Sequence, residues 1–118
     1  MADNPRVICR STDLEERGQG VRFEVLYRGA VAAAFAVRAD GKAHAYLNRC
    51  THVAMELDWQ PGEFFDAEGR DLICSTHGAT FSADSGRCLG GPCSGRPLLK
   101  LGVDERDGLI FLKESPHG

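Results

Sequence analysis

Two short segments of this chain could do metal chemistry. Cys50-Thr51-His52 pairs a thiolate with an imidazole at Cys-x-His spacing. Cys74-Ser75-Thr76-His77 repeats the pairing at Cys-x-x-His spacing and is followed at once by Gly78 and then by Phe81. Two thiolates and two imidazoles are enough to close a site for soft or borderline metal. Zinc would take all four ligands on one ion in a tetrahedron. A two-iron, two-sulfide cluster would take both Cys on one iron and both His on the other. Zinc ribbons and fingers usually build each chelating loop from one ligand type. Here each loop is mixed, and 21 residues (53–73) separate His52 from Cys74, which favours the cluster.

The pairing of Cys-x-His with Cys-x-x-His-Gly resembles the signature of the Rieske family. The likeness extends to Arg49-Cys50-Thr51-His52, to His77-Gly78-Ala79-Thr80-Phe81, and to Leu89-Gly90-Gly91-Pro92, which is similar to the family's proline loop. It covers roughly residues 5 to 113. The resemblance implies an all-β fold: an antiparallel β-sandwich with a small cluster-binding subdomain, as one domain over residues 1–118. The cluster-binding loops would span about 48–54 and 74–81, and the proline loop about 89–97. It further implies one 2Fe-2S cluster held by Cys50, His52, Cys74 and His77, with the two His facing solvent.

Such a cluster is a one-electron carrier. Two thiolates cancel the charge of the oxidised core and two neutral imidazoles add nothing, so adding an electron is easier than at an all-Cys site. The implied protein is a small ferredoxin rather than an enzyme, taking electrons from a flavin reductase and passing them to an oxygenase or related redox enzyme. A complete Rieske oxygenase would need a second, mononuclear iron and a far larger chain. Two alternatives stand beside this reading: the small subunit of an assimilatory nitrite reductase-like complex, and a zinc-stabilised binding module.

High-potential members of the family carry a pair of cysteines bridging the two loops, and the matching positions here are Met55 and Thr76. They also place a Ser directly after the His-Gly pair and a Tyr two residues later, both donating hydrogen bonds towards sulfur. The residues here are Ala79 and Phe81, which have no donor. The resemblance therefore implies a low potential.

The elements that must position these residues read as strands. The 118 residues are 42% hydrophobic and 26% charged, as in ordinary globular proteins. Val7–Cys9, Val21–Tyr27, Ala30–Arg38 and Ala43–Leu47 are β-rich, and Asp40-Gly41 is a two-residue hairpin signal. Short strands are expected at Glu63–Asp66, Asp71–Cys74 and Ala79–Ser82, with a final hairpin turning at Asp107-Gly108. Ser11–Leu14 reads as a loop, because Gly18 and Gly20 stop a helix. The stretch 89–97, with three glycines and two prolines, is expected to form no regular structure. His44 reads as a surface residue on a strand, His117 as part of a frayed tail, and Trp59 as core.

Composition narrows the remaining possibilities. The net charge of −3 gives no reason to expect nucleic acid as a partner. The longest apolar run, Ala30 to Val37, falls short of the roughly 20 residues that span a bilayer. Met1-Ala2-Asp3-Asn4-Pro5-Arg6 lacks a signal-peptide core, so the cytoplasm is expected. Cys9, Cys88 and Cys93 are then expected to be reduced thiols, the alternative being a Cys88–Cys93 disulfide across the Gly-rich loop between them. Residues 53–71 hold six acids (Glu56, Asp58, Glu63, Asp66, Glu68, Asp71) against Arg70. That stretch is either a solvated loop or a surface that steers a basic partner. No small-molecule substrate is expected. Metal analysis of protein purified without oxygen should give two irons and two acid-labile sulfides per chain; one zinc and no sulfide would select the zinc module.

Overall fold

The computed structural model describes residues 6–49, 56–58, 60, 62–74, 78–91 and 97–114. Its nine strands are β1 (Arg6–Arg10), β2 (Val21–Tyr27), β3 (Ala30–Ala39), β4 (Lys42–Leu47), β5 (Leu72–Ile73), β6 (Thr80–Phe81), β7 (Cys88–Gly90), β8 (Lys100–Arg106) and β9 (Leu109–Glu114). All the strand pairs are antiparallel. A six-stranded sheet runs in the order β1-β9-β8-β4-β3-β2, and a three-stranded sheet runs β5-β6-β7. This is the all-β, antiparallel architecture that the resemblance implies.

Sequence and turn chemistry explain the large sheet. Val21, Phe23, Val25 and Tyr27 of β2 alternate inward against Arg22, Glu24 and Leu26 outward. Arg28-Gly29, Asp40-Gly41 and Asp107-Gly108 each hold two consecutive residues at positive φ, the conformation of tight hairpin turns. They connect β2 to β3, β3 to β4 and β8 to β9. β1 and β2, at opposite ends of the strand order, pack into one core together, and the Arg6 guanidinium lies 5.6 Å from the centre of the Phe23 ring. The sheet therefore curls upon itself.

β3 and β4 separate two cores. Ala34, Ala36, Ala45 and Leu47 face the inside of the curl with Leu101, Ile110 and Leu112. Phe35, Val37 and Tyr46 face the other way, against Leu57, Phe64, Leu72, Cys74, Ala79 and Phe81. Phe35 stacks on Phe64 at 4.0 Å. This second core is the platform for both candidate ligand loops. Gly20 lies against it so closely that a Cβ would sit 2.6 Å from the Ala36 carbonyl oxygen, which explains why the loop before β2 carries glycine there.

Several expectations need adjustment. Ser11–Asp13 forms a single 3-10 turn rather than plain loop. Glu63–Asp66 is not a strand but makes isolated bridges, Gln60 with Glu63 and Phe65 with Leu72. Cys88–Gly90 is a strand, although two of its residues fall in the glycine-rich stretch expected to be irregular. Glycine costs a strand entropy, yet the pairing of Thr80 with Gly90 and of Phe81 with Cys88 outweighs that cost. Residues 92–96, Trp59 and His117 lie outside the described residues. No helix among the described residues is long and apolar enough to cross a membrane.

Tyr46 ties the two layers together, since its buried hydroxyl donates to the Ala83 carbonyl at 2.7 Å. Burial pushes the phenol's pKa far up, so it stays a donor throughout the accessible pH range. Tyr46→Phe should cost about 1–3 kcal/mol in chemical denaturation, because it leaves that carbonyl unsatisfied in the core.

Candidate metal centre

The first candidate ligand loop leaves β4 at Asn48. Asn48 is buried and its backbone N–H donates to the Ala33 carbonyl at 2.9 Å, holding it to β3. Its side chain reaches across to the far end of the loop. The amide oxygen accepts from Leu57 N–H at 2.8 Å, and the amide nitrogen donates to Asp58 Oδ1 at 3.1 Å. Asp58 Oδ2 accepts from Gly62 N–H at 3.1 Å and lies 3.6 Å from Arg22 Nε. Arg22, on the outward side of β2, also donates to Glu56 at 2.7 Å. The Asp58 carboxylate is only 1% exposed, and these donors satisfy a charge that would otherwise be costly to bury. The loop is thus closed at its neck. Cys50 and His52 belong to the sequence between these ends, outside the described residues.

The second loop is closed as tightly. Cys74 N–H donates to the Ala79 carbonyl at 2.8 Å, and Gly78 N–H donates back to the Cys74 carbonyl at 2.9 Å. Gly78 sits at φ +76°, a value glycine adopts without strain. Cys74 is fully buried in the second core and is not part of a disulfide. His77 lies in the three-residue link outside the described residues. Ala79 and Phe81, which follow, are both fully buried.

The start of the proline loop abuts this segment. A Cβ on Gly91 would lie 2.8 Å from Ala79 Cα and 3.1 Å from the Gly78 carbonyl oxygen. The residues beyond Gly91 in that loop are outside the described set. Cys88, on β7, is disulfide-bonded, which corrects the expectation that it would be a reduced thiol. Cys9 is a thiol in the first core, and burial together with Asp13 pushes its pKa up to about 11. That makes it a poor nucleophile and a poor ligand.

The acidic stretch divides in two. Glu56 and Asp58 are engaged by Arg22, and Asp58 is not a surface charge at all. Glu63, Asp66 and Glu68 instead line a cleft of about 710 Å³ together with Arg17, Phe65, Cys74 and Gly78. His44 is a further correction: it is buried rather than on the surface, with Nδ1 3.3 Å from Lys100 Nζ. Burial first, and Lys100 second, lower its pKa. Asn48, Asp58 and Arg22 escaped the sequence reading. Their signal was position alone: a polar residue two before Cys50, and an acid six after His52.

Among the described residues, no group of three or more His, Cys, Asp or Glu is placed to hold a metal; Cys74 is the only member of the four-residue set that is described. The model of the Rieske [2Fe-2S] domain family matches residues 4–109, nearly the whole chain. The chain belongs to the Rieske [2Fe-2S] domain family, and its cofactor is a 2Fe-2S cluster rather than zinc. No curated protein matches it.

Among solved structures, the ferredoxin of carbazole 1,9a-dioxygenase from Nocardioides aromaticivorans IC177 is similar at TM-score 0.73 and 24% identity, over 96% of this chain and 98% of that one. The Sphingomonas yanoikuyae B1 ferredoxin is similar at TM-score 0.69 and 23% identity, over 94% and 99%. A chain in the complex of reduced oxygenase and oxidized ferredoxin in carbazole 1,9a-dioxygenase is similar at TM-score 0.71 and 22% identity, over 95% and 94%. At these identities the likeness is one of fold.

What is described fits the cluster. A buried cysteine outside any disulfide opens a segment closed on itself by two backbone hydrogen bonds, and an apolar core excludes water around its thiol. The abutment of Gly91 on that segment can be tested directly. Gly91→Ala should destabilise the protein by about 1–3 kcal/mol more than Gly108→Ala. Gly108 has nearly the same φ (+75°, against +80°) but open space around its Cα, so the difference isolates the packing contact. Equal costs for the two variants would mean the contact contributes nothing.

Proposed function

We propose that this chain is a Rieske-type ferredoxin: a one-electron carrier, itself no enzyme, that takes electrons from a flavin reductase and delivers them to an oxygenase or related redox enzyme. Its Rieske domain would occupy residues 1–118 and work in the cytoplasm. Cys50 and Cys74 would hold one iron, and His52 and His77 the other. When bound, the cluster supplies reversible uptake of a single electron. The ring nitrogens of His52 and His77 not bound to metal would hold or release a proton, coupling electron uptake to pH.

Support comes from the family match, from fold likeness to two ferredoxins of comparable length, and from likeness to a chain in a complex of oxygenase and ferredoxin. The Glu63, Asp66 and Glu68 carboxylates beside Cys74 would steer a basic partner surface towards the electron's exit. Glu56 and Asp58 have no part in that steering, being held by Arg22.

The observation that carries the choice of a low-potential ferredoxin is the pair Ala79 and Phe81. Both side chains are fully buried just beyond the Cys74–Gly78 closure, and neither can donate a hydrogen bond to sulfur. Donors to sulfur stabilise the added electron, so their absence lowers the potential. Voltammetry should give a midpoint near −150 mV, the low end of the Rieske range. The correctly folded Ala79→Ser, Phe81→Tyr double variant should rise by on the order of 100 mV, given that about 59 mV is a tenfold change for one electron. A strongly positive midpoint in the parent protein, or a double variant that did not move, would refute the reading.

A further inference from the structure

The geometry points to Asn48 and Asp58 as positioning residues for the iron–sulfur cluster, a pair that fixes the first ligand loop by closing its neck. The inference rests on the reading that Cys50 and His52 hold iron.

One side chain, Asn48, bonds to two consecutive residues on the far side of the neck, Leu57 and Asp58. Both bonds are shielded from water, Asn48 and Leu57 being buried and the Asp58 carboxylate 1% exposed. The backbone N–H of Leu57 is an obligate donor, so it fixes which end of the Asn48 amide is oxygen. The amide nitrogen must then face Asp58, which must accept. Arg22 and Gly62 N–H hold the other oxygen of Asp58, so the pair cannot rotate out of register without breaking further bonds. Well-packed apolar residues would supply stability at such a place with less desolvation, and a buried polar pair supplies geometry instead. The loop so fixed begins at residue 49, one before Cys50, and returns at residue 56. The neck therefore sets the separation and angle from which the Cys50 and His52 pair must be presented.

The bond polarity provides the test. Asn48→Asp sets two acceptors against each other, and Asp58→Asn sets two donors. With both changes together every hydrogen bond survives and only the longer Arg22 ion pair is weakened: the carboxylate at 48 accepts from Leu57 N–H and from the amide at 58, whose oxygen still accepts from Gly62 N–H. Holoprotein purified without oxygen is reduced with dithionite, and two quantities are read: the electron paramagnetic resonance spectrum and the rate of iron loss to a ferrous chelator. Each single variant should lose iron about tenfold faster, as when a group that orients a metal ligand is removed, and should show shifted g-values. The double variant should return to the parent's spectrum and to within about threefold of its rate. Single variants with the parent's spectrum and rate would overturn the inference. So would a double variant as impaired as the worse single, even where a single variant holds no cluster at all. Cys50→Ser, measured alongside, separates the two levels of the argument. If it keeps the parent's spectrum, the ligand assignment itself fails. If it loses the cluster while Asn48→Asp behaves like the parent, only the positioning role falls.

Discussion

Everything at the functional end of this protein depends on closing two loops over one apolar wall. Leu57, where the first loop returns, and Cys74 and Ala79, which open and follow the second, share a single core with Phe35, Tyr46 and Phe64. A ligand set brought together from two flexible segments must lose their conformational freedom on binding metal, at about 1–2 kcal/mol for each residue fixed. Here much of that ordering is done by the fold. Side-chain bonds from Asn48 close the first neck, and backbone bonds between Cys74, Gly78 and Ala79 close the second.

The wall itself owes its form to an uneven distribution of side-chain size on β3 and β4. On the side inside the curled sheet the residues are mostly alanine (Ala32, Ala34, Ala36, Ala43 and Ala45, with Leu47 at the end of β4), small enough to let the sheet close tightly around Leu101, Ile110 and Leu112. On the other side stand Phe35, Val37 and Tyr46, large enough to carry a second layer. A strand buried on both faces loses the simple apolar-polar alternation. That is why Ala30 to Ala39, with four consecutive buried residues from Ala34 to Val37, shows no clean alternation in sequence.

Sequence reasoning reached the large hairpins because their turns are written in two-residue signals such as Asp40-Gly41, with β-rich runs on either side. It reached the family and its cofactor because Cys and His at short spacing leave few chemical uses. It missed what depends on contacts between distant residues. Nothing local marks Asp58 as buried; its partners, Arg22 and Asn48, are 36 and 10 positions away, and only folding distinguishes it from Glu63 or Glu68 in the same acidic run. His44 was misjudged for a similar reason, since its cover comes from Lys100, 56 residues later. The strand Cys88–Gly90 was hidden by its glycine, which its pairing with Thr80 overrides. The disulfide at Cys88 was weighed and set aside on grounds of compartment, a statistical argument that does not bind one residue.

The arrangement of charge around the first neck bears on which lever sets the redox potential. Two anions, Glu56 and Asp58, stand against two cations, Arg22 and Arg49, and Arg49 and Glu56 line one cleft together. Their formal charges cancel, so the neck presents no net charge to an added electron, and the dipoles that remain weaken rapidly with distance. The carboxylates beside Cys74 are partly or fully exposed, and solvent and salt screen them. Buried groups in direct contact with sulfur escape that screening. A hydroxyl in place of Ala79 or Phe81, both fully buried, would therefore be a lever on the potential that solvent does not screen, whereas the charges at the neck serve structure.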